Sequence, residues 1–297
     1  MSFSLYLKNK ISKNKIKRSD LIAQLNLYHK EFTNLDAITF SRWITNKTTP
    51  SPYKQILISN YFNDDPLYFI QNHITINRVS QSIINSFNKL MIDIESSYTN
   101  ISYFYNNENP TYRIDILEKD SYNDLLGVYY SNFRTYRELF KEFKKNNINN
   151  KHICIIEQRN NIISSHISTV KLDNKTSKII SDYFNTEINS EYFVELSYIN
   201  NRSSYLIIIS LLIYFFHKNS VRNITCLIRS DFLDFLTNLS FEQISSAFID
   251  NHGMKLYLVR ADLLEIISNP FTIKLLTVAQ KESRNILNIK TNHNWFK

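Results

Sequence analysis

The chain has 297 residues, 43% of them hydrophobic, and a formal net charge of +8. This length and hydrophobic content favour two folded domains and argue against disorder. Gly127 and Gly253 are the only glycines in the sequence. The P-loop, the dinucleotide fingerprint and the G-x-S-x-G serine nucleophile are therefore excluded, because each requires several glycines.

The cysteines and histidines do not indicate a metal site. Cys154 and Cys226 each lie within an apolar run, so we expect buried, reduced thiols. The seven histidines are scattered without the spacing of metal ligands. The N-terminus is polar and basic, and the longest apolar run, 205–216, is shorter than the ~20 residues of a bilayer span. We expect a cytoplasmic protein without a metal or a membrane anchor.

The positive charge is concentrated at the N-terminus. Residues 1–63 contain eight lysines and two arginines against three acids, and so carry +7 of the net +8. A basic segment of this kind is typical of a module that neutralises DNA phosphates. A solvated lysine-rich surface is the alternative.

Helical patterns fill this basic segment. Apolar spacing predicts a first helix over 3–16 and a second helix that begins near Ser19. A third helix is predicted from Asp36, whose carboxylate can cap it, to Thr45, with Phe40, Trp43 and Ile44 on the inner face. Asn46 suits the left-handed conformation that ends a helix.

The run L-D-A-I-T-F-S-R-W-I-T-N-K-T-T-P-S resembles the recognition helix of the Cro/C1 (XRE-type) helix-turn-helix family, and the resemblance covers about the first 65 residues. It departs from the family in a longer connection before this helix and in Asn46, which replaces the usual glycine. The resemblance implies binding to double-stranded DNA. The predicted DNA contacts are Lys17, Arg18, Ser19, Ala37, Ile38, Thr39, Ser41, Arg42, Asn46 and Lys47.

The segment after the basic region contains a domain boundary. Asn63-Asp64-Asp65-Pro66 predicts a break, which places a helix-turn-helix domain at 1–66. Apolar residues at helical spacing over 75–91 predict an amphipathic helix, within a connecting or dimerisation segment at 67–96. Packing of this helix on the second domain is the alternative.

From residue 97 to 297 the pattern predicts an α/β domain. Strands are expected at 112–117, 153–157, 162–170, 192–199, 223–229 and 254–259, and helices at 122–145, 203–218 and 232–239. Turns are expected at Asn160-Asn161 and Asp173-Asn174. The predicted fold class is α + α/β, an N-terminal all-α helix-turn-helix bundle followed by an α/β domain with a mixed central sheet.

The strand and helix order, together with Y-F-V-E-L-S-Y-I-N-N-R-S-S-Y-L-I-I-I-S-L-L, resembles the GNAT (GCN5-related N-acetyltransferase) fold over roughly 100–265. The acyl-homoserine-lactone synthases and the thermostable-haemolysin-like proteins are relatives within that fold. The resemblance implies that a loop after the fourth strand, with the pattern [RQ]-x-x-G-x-[GA], holds the pyrophosphate of acyl-CoA. Here Tyr205 and Ile207 stand at the two small positions, and a side chain at Tyr205 obstructs the approach of backbone amides to a pyrophosphate. We therefore expect no cofactor, with acyl-CoA as the alternative.

Five residues near this junction form the predicted ligand site. Arg202, Ser203 and Ser204 stand at a helix start that can hold an anion, next to Tyr205 and to Glu195 in the preceding strand. Helix capping is the alternative for the serines, and a solvent-facing position is the alternative for Glu195. No catalytic residue is assigned.

These patterns lead to a hypothesis of a dimeric DNA-binding transcription regulator that reads a palindromic operator. Its GNAT-like domain would sense a small acylated or anionic effector, or mediate dimerisation, without enzymatic activity. The first alternative is an acyl-CoA-dependent acyltransferase with an autoregulatory DNA-binding domain. The second is a protein-interaction module that binds no ligand.

Overall fold

The computed structural model describes residues 2–76, 78–105, 109–131, 133–250 and 253–277, apart from the side chains of 97–105 and Val128. These residues form two compact units, one within 2–79 together with 267–277 and the other within 80–266. Each unit is described here by itself. Of the predicted second domain, 278–297 lies outside the described residues.

The first unit is helical. Its helices are α1 (Phe3–Asn14), α2 (Arg18–Tyr28), α3 (Ala37–Ile44), α4 (Pro52–Tyr61) and α5 (Pro66–His73), with a 3-10 turn at Lys30–Phe32. Leu7, Leu21, Leu25 and Ile56 are fully buried within it. This all-α architecture was predicted, whereas its assignment as a helix-turn-helix bundle is not confirmed.

The local prediction for α3 is confirmed. Asp36 caps the helix by accepting a hydrogen bond from the backbone amide of Thr39 at 2.6 Å, which lowers the pKa of Asp36. Phe40, Trp43 and Ile44 are buried, and Asn46 adopts a left-handed φ of 59°. The helix α2 begins at Arg18, one residue before the predicted start near Ser19, with Lys17 at the N-cap position.

The first unit extends further than the predicted boundary at residue 66. Asp65 caps α5, and Pro66 occupies its first turn, so the predicted break is instead the start of a helix. Phe69 of α5 contacts the rings of Phe3 and Tyr6 with centroid distances of 6.5 and 4.8 Å. These aromatic contacts hold α5 in the first unit.

The second unit is built on a mixed sheet. Its strands are β1 (Thr111–Leu117), β2 (His152–Arg159), β3 (Ile162–Lys171), β4 (Tyr192–Tyr198), β5 (Asn223–Arg229), β6 (Glu242–Gln243), β7 (Phe248–Ile249) and β8 (Lys255–Asp262). Among the described residues the strand order is β1-β2-β3-β4-β5-β8-β6, with β7 also paired to β8. Neighbours pair antiparallel except β4 and β5, which are parallel. A mixed α/β unit with a mixed sheet was predicted and is confirmed.

The parallel pair is short. Tyr192, Phe193 and Val194 are paired with Ile224, Thr225 and Cys226. No further pairing joins the two strands in the described residues, although β4 continues to Tyr198 and β5 to Arg229. The carboxyl ends of both strands are thus unpaired with each other. Ligands in open α/β sheets commonly bind outside the carboxyl ends of neighbouring parallel strands.

Helices flank this sheet. They are α6 (Gln81–Tyr105), α7 (Lys119–Tyr130), α8 (Arg134–Lys145), α9 (Asn174–Phe184), α10 (Arg202–Lys218), α11 (Ser230–Asn238) and α12 (Leu263–Ser268). Two predictions need correction. The single helix expected over 122–145 is divided into α7 and α8, because the Asp250 carboxylate caps a new helix by accepting from the Arg134 and Thr135 amides. The helix α9 was missed because Asp173-Asn174 was interpreted as a turn, whereas Asp173 caps α9 through the Thr176 amide at 2.7 Å.

The helix α6 belongs to the α/β unit. It starts at Gln81, later than predicted, and its Phe87 ring contacts Tyr205 of α10 and Phe235 of α11. Its apolar face therefore packs on other helices of the same unit, which was the alternative to a connecting or dimerisation helix. Across the described helices, none combines the length and apolarity of a membrane span.

Candidate active site

A cavity of about 330 Å³ lies in the α/β unit, lined by the carboxyl ends of β4 and β5. Residues 195–199 on the β4 side and 227–229 on the β5 side contribute to its wall. The cavity therefore occupies the place where the two parallel strands cease to pair. Its size is at the lower end of the roughly 300–1,000 Å³ typical of small-molecule sites.

Most of the cavity wall is aromatic or aliphatic. The helices α7 and α8 supply one side, with Tyr129, Tyr130, Tyr136, Leu139, Phe140 and Phe143. Phe193, Leu196, Leu227, Phe232 and Leu256 line the other parts of the wall. A wall of this composition can bury an apolar ligand group.

An acid and a histidine are paired in this wall. His152, at the start of β2, contacts Glu195 of β4 with 2.8 Å between Nδ1 and Oε2. Both residues line the cavity, and their side chains are 4% and 12% exposed. A histidine whose Nδ1–H donates to a carboxylate keeps Nε2 as a proton acceptor, which is an arrangement suited to general base catalysis.

The His152 ring is held by Tyr122. The two rings stack at a centroid distance of 3.9 Å with an interplanar angle of 5°. The Tyr122 hydroxyl lies 3.0 Å from Ser168 Oγ, and burial raises its pKa well above the ordinary range. Tyr122 therefore stays neutral and fixes the plane of the imidazole.

A second histidine lies behind the cavity wall. Tyr130 lines the cavity, and its hydroxyl hydrogen-bonds to Nε2 of His166. His166 is 1% exposed, and burial lowers its pKa to about 3. His166 is thus neutral at physiological pH and orients the Tyr130 hydroxyl.

This histidine is expected to contribute to acid sensitivity. An unfolded histidine titrates near 6.5, so the unfolded chain binds a proton at pH values where the folded His166 does not. The contribution is absent above pH 6.5, and the free energy of unfolding decreases as pH falls from there towards 3, by up to about 1.4 kcal/mol per pH unit. We expect His166→Gln to reduce this slope in denaturant titrations between pH 6.5 and 4, and an unchanged slope would contradict the assignment.

The two cysteines are buried and free, as predicted. Burial raises the pKa of the Cys226 thiol to about 12 and that of Cys154 above its usual range. A thiol is nucleophilic only as its thiolate, so neither cysteine suits covalent catalysis. Within the described ranges, no cluster of three His, Cys, Asp or Glu side chains has the arrangement of a metal site.

The predicted ligand residues are divided between two places. Glu195 lines the cavity, whereas Arg202, Ser203, Ser204 and Tyr205 form the first turn of α10 and are not among the residues that line it. Ser204 and Tyr205 are buried. Sequence reasoning missed His152, Tyr122 and Tyr130, which carry no motif and meet Glu195 or the cavity only through the packing of α7 and the sheet.

The predicted DNA contacts lie in the first unit, mostly at its surface. Lys17, Arg18, Ser19, Ala37, Ile38, Ser41, Arg42, Asn46 and Lys47 are exposed, and Thr39 is half-buried. The side chain of Ile38 is 73% exposed. These positions confirm which face of α3 is outward.

No protein-family model matches the chain, and no curated protein matches it. Among solved structures it is similar to BjaI, a CoA-dependent acyl-homoserine lactone synthase with SAM and isopentyl-CoA, at 6% identity and a TM-score of 0.34, over 44% of this chain and 64% of that one. It is also similar to FeeM, an N-acyl amino acid synthase from uncultured soil microbes, at 11% identity and a TM-score of 0.35, over 58% of this chain and 99% of that one. A third is MesI, a CoA-dependent acyl-homoserine lactone synthase, at 10% identity and a TM-score of 0.34, over 55% of this chain and 95% of that one.

These similarities correct the functional hypothesis. The similar structures are acyl-homoserine lactone and N-acyl amino acid synthases, which are acyltransferases and not transcription regulators. The comparisons give no support to an XRE-type, DNA-binding transcription regulator, and that assignment is not kept. At such low identity the similarity concerns the fold alone, and the function is argued below from the cavity.

Proposed function

We propose that the α/β unit is an acyltransferase that moves an acyl group from a thioester to the amine of a small acceptor. The observation that supports this most is the combination, in one cavity, of an aromatic wall with the His152 and Glu195 pair. An apolar wall can bind an acyl chain, and the pair can take up the proton that amide formation releases.

The acyl chain would occupy the aromatic part of the cavity. Tyr136 and Phe140 of α8 stack with a centroid distance of 5.8 Å and line one side. Burial raises the pKa of Tyr136, so this side remains uncharged. Transfer of each methylene from water into such a site contributes up to about 0.8 kcal/mol.

The reaction requires two proton transfers, one from the amine nitrogen and one to the sulfur of the leaving thiol. The amine nitrogen attacks the thioester carbonyl carbon while Nε2 of His152 takes its proton, and the Glu195 carboxylate stabilises the resulting imidazolium. When the tetrahedral intermediate collapses, the carbon–sulfur bond breaks and the thiolate leaves with the electron pair. His152 then returns the proton to the sulfur, which gives an amide and a free thiol.

A series of thioesters of increasing chain length tests the binding step. We expect the affinity of the full chain to increase from butanoyl to octanoyl thioesters, by up to roughly fourfold per methylene, since each methylene adds up to about 0.8 kcal/mol. Calorimetry would measure this slope. An affinity that is independent of chain length would contradict an acyl-binding cavity.

A substitution in the wall should change the accepted length. Leu227 lines the cavity next to the last β4–β5 pair. We expect Leu227→Trp to fill part of the cavity, so that octanoyl affinity falls about tenfold or more while butanoyl affinity changes little. Leu227→Met is the matched control because it conserves volume. Equal loss for both chain lengths in the tryptophan variant would point to misfolding instead.

A further inference from the structure

The start of α10 is already occupied by groups of the same chain. The backbone amide of Arg202 donates to Oε1 of Glu95 at 3.0 Å, and the amide of Ser204 donates to Oδ1 of Asn201 at 3.0 Å. A helix start binds a phosphate through the amides of its first turn, and those of Arg202 and Ser204 already have acceptors.

Glu95 also places a negative charge there. It lies on α6 and is exposed, and its carboxylate sits at the positive end of the α10 dipole. It holds the position that a phosphate would take. A pyrophosphate would have to displace it or remain beside a like charge, and both are unfavourable.

A pyrophosphate loop needs a free cation and a small residue. Here the cation, Arg202, is bound to other groups of the chain, and Tyr205 stands in place of the small residue. The Arg202 guanidinium donates to Asn88 Oδ1 at 3.1 Å and stacks over the Phe87 ring at 5.3 Å. The Tyr205 ring is 3% exposed and contacts Phe87 and Phe235 at centroid distances of 5.4 and 6.0 Å. The tyrosine that replaces a glycine thus fills a core position between α6, α10 and α11. These residues do not fit the pyrophosphate of CoA.

We propose that the acyl donor is recognised by its acyl chain and thioester, with no contribution from a nucleotide at the start of α10. The substrate class is therefore acyl thioesters in general, including those that lack the adenosine and pyrophosphate portion of CoA. This rests on the proposed acyl-transfer function. Where a phosphate would accept hydrogen bonds at the start of α10, Glu95 of α6 accepts from the Arg202 amide instead.

Two thioesters with the same acyl group distinguish the alternatives. The full chain is titrated with octanoyl-CoA and with the octanoyl thioester of N-acetylcysteamine, which has no phosphate. We expect similar affinities, within about threefold, and no saturable binding of CoA itself. An octanoyl-CoA affinity ten times higher, with an advantage that is lost in Arg202→Ala, would overturn the inference.

Two substitutions at Glu95 test the cause. Glu95→Ala removes both the acceptor and the charge, and is expected to raise affinity for octanoyl-CoA several-fold without changing that for the N-acetylcysteamine thioester. Glu95→Gln keeps an acceptor for the Arg202 amide and is the matched control, with a smaller gain. No change in CoA affinity in Glu95→Ala would contradict the role given to Glu95. Failure of both thioesters to bind would instead contradict the proposed function. In that case the titration with CoA itself would still test whether the start of α10 binds a pyrophosphate.

Discussion

Replacement of Glu195 by glutamine should slow acyl transfer by roughly 10²–10⁴-fold, the range that positioned general acid–base groups contribute. The glutamine oxygen can still accept the hydrogen bond that Glu195 Oε2 makes with His152 Nδ1 at 2.8 Å. It cannot stabilise an imidazolium by charge. Affinity for the octanoyl thioester should therefore be retained while the turnover rate falls, as release of the free thiol would show.

Matched controls separate this effect from general damage. Glu187 is exposed and accepts from Asn189 at 2.9 Å, away from the cavity, so Glu187→Gln should be as active as the wild type. The double variant with His152→Gln should lose little more than either single variant, because residues that act as one unit are not additive. A turnover rate in Glu195→Gln equal to that of the wild type would contradict the assigned mechanism.

The largest expected effect on stability concerns Glu157 in β2. Its side chain is completely buried and accepts from the Tyr112 hydroxyl at 2.9 Å, Ser164 Oγ at 2.8 Å and Arg159 Nε at 3.2 Å. We expect Glu157→Ala to lower the free energy of unfolding by about 3–5 kcal/mol, because the substitution removes three side-chain hydrogen bonds and a buried ion pair. Denaturant titration followed by circular dichroism would measure it.

Comparison of Glu157→Gln with Glu157→Ala separates the contribution of the carboxylate charge to stability from that of the side-chain volume. The glutamine keeps nearly the same size and one acceptor oxygen, and loses the charge and the second acceptor, so it should cost less than the alanine variant. If the alanine variant is as stable as the wild type, then the buried group of Tyr112, Arg159, Ser164 and Glu157 does not stabilise the sheet as described.

Much of the α/β unit could be predicted from local patterns. Alternating apolar residues located β1 within one residue and β5 at both bounds, since strand periodicity depends only on neighbouring residues. The helix α9 was missed because Asp173 suits both a turn and a cap. Glu195 was identified because it lies in the stretch that resembles the GNAT fold, but its partner His152 was not identified. His152 lies 43 positions away in the sequence, and the two meet only when β2, β3 and β4 form one sheet.

The first unit shows why a correct local prediction does not establish a function. The capped helix α3, its buried Phe40 and Trp43, and the left-handed Asn46 all follow from rules that hold for any short helix. An exposed face with Arg42 and Lys47 fits the same rules without a nucleic acid partner. The pattern therefore establishes the helix and not what it binds.

The most direct test of the central claim is to locate a bound acyl chain. The full chain would be irradiated with an octanoyl thioester that carries a diazirine at the end of its acyl chain, and the labelled peptides identified by mass spectrometry. We expect labelling of α8 around Tyr136 and Phe140 or of the ends of β4 and β5, which octanoate competes away and Leu227→Trp reduces. Labelling confined to other surfaces, or unaffected by competitor and substitution, would contradict an acyl-binding cavity between β4 and β5.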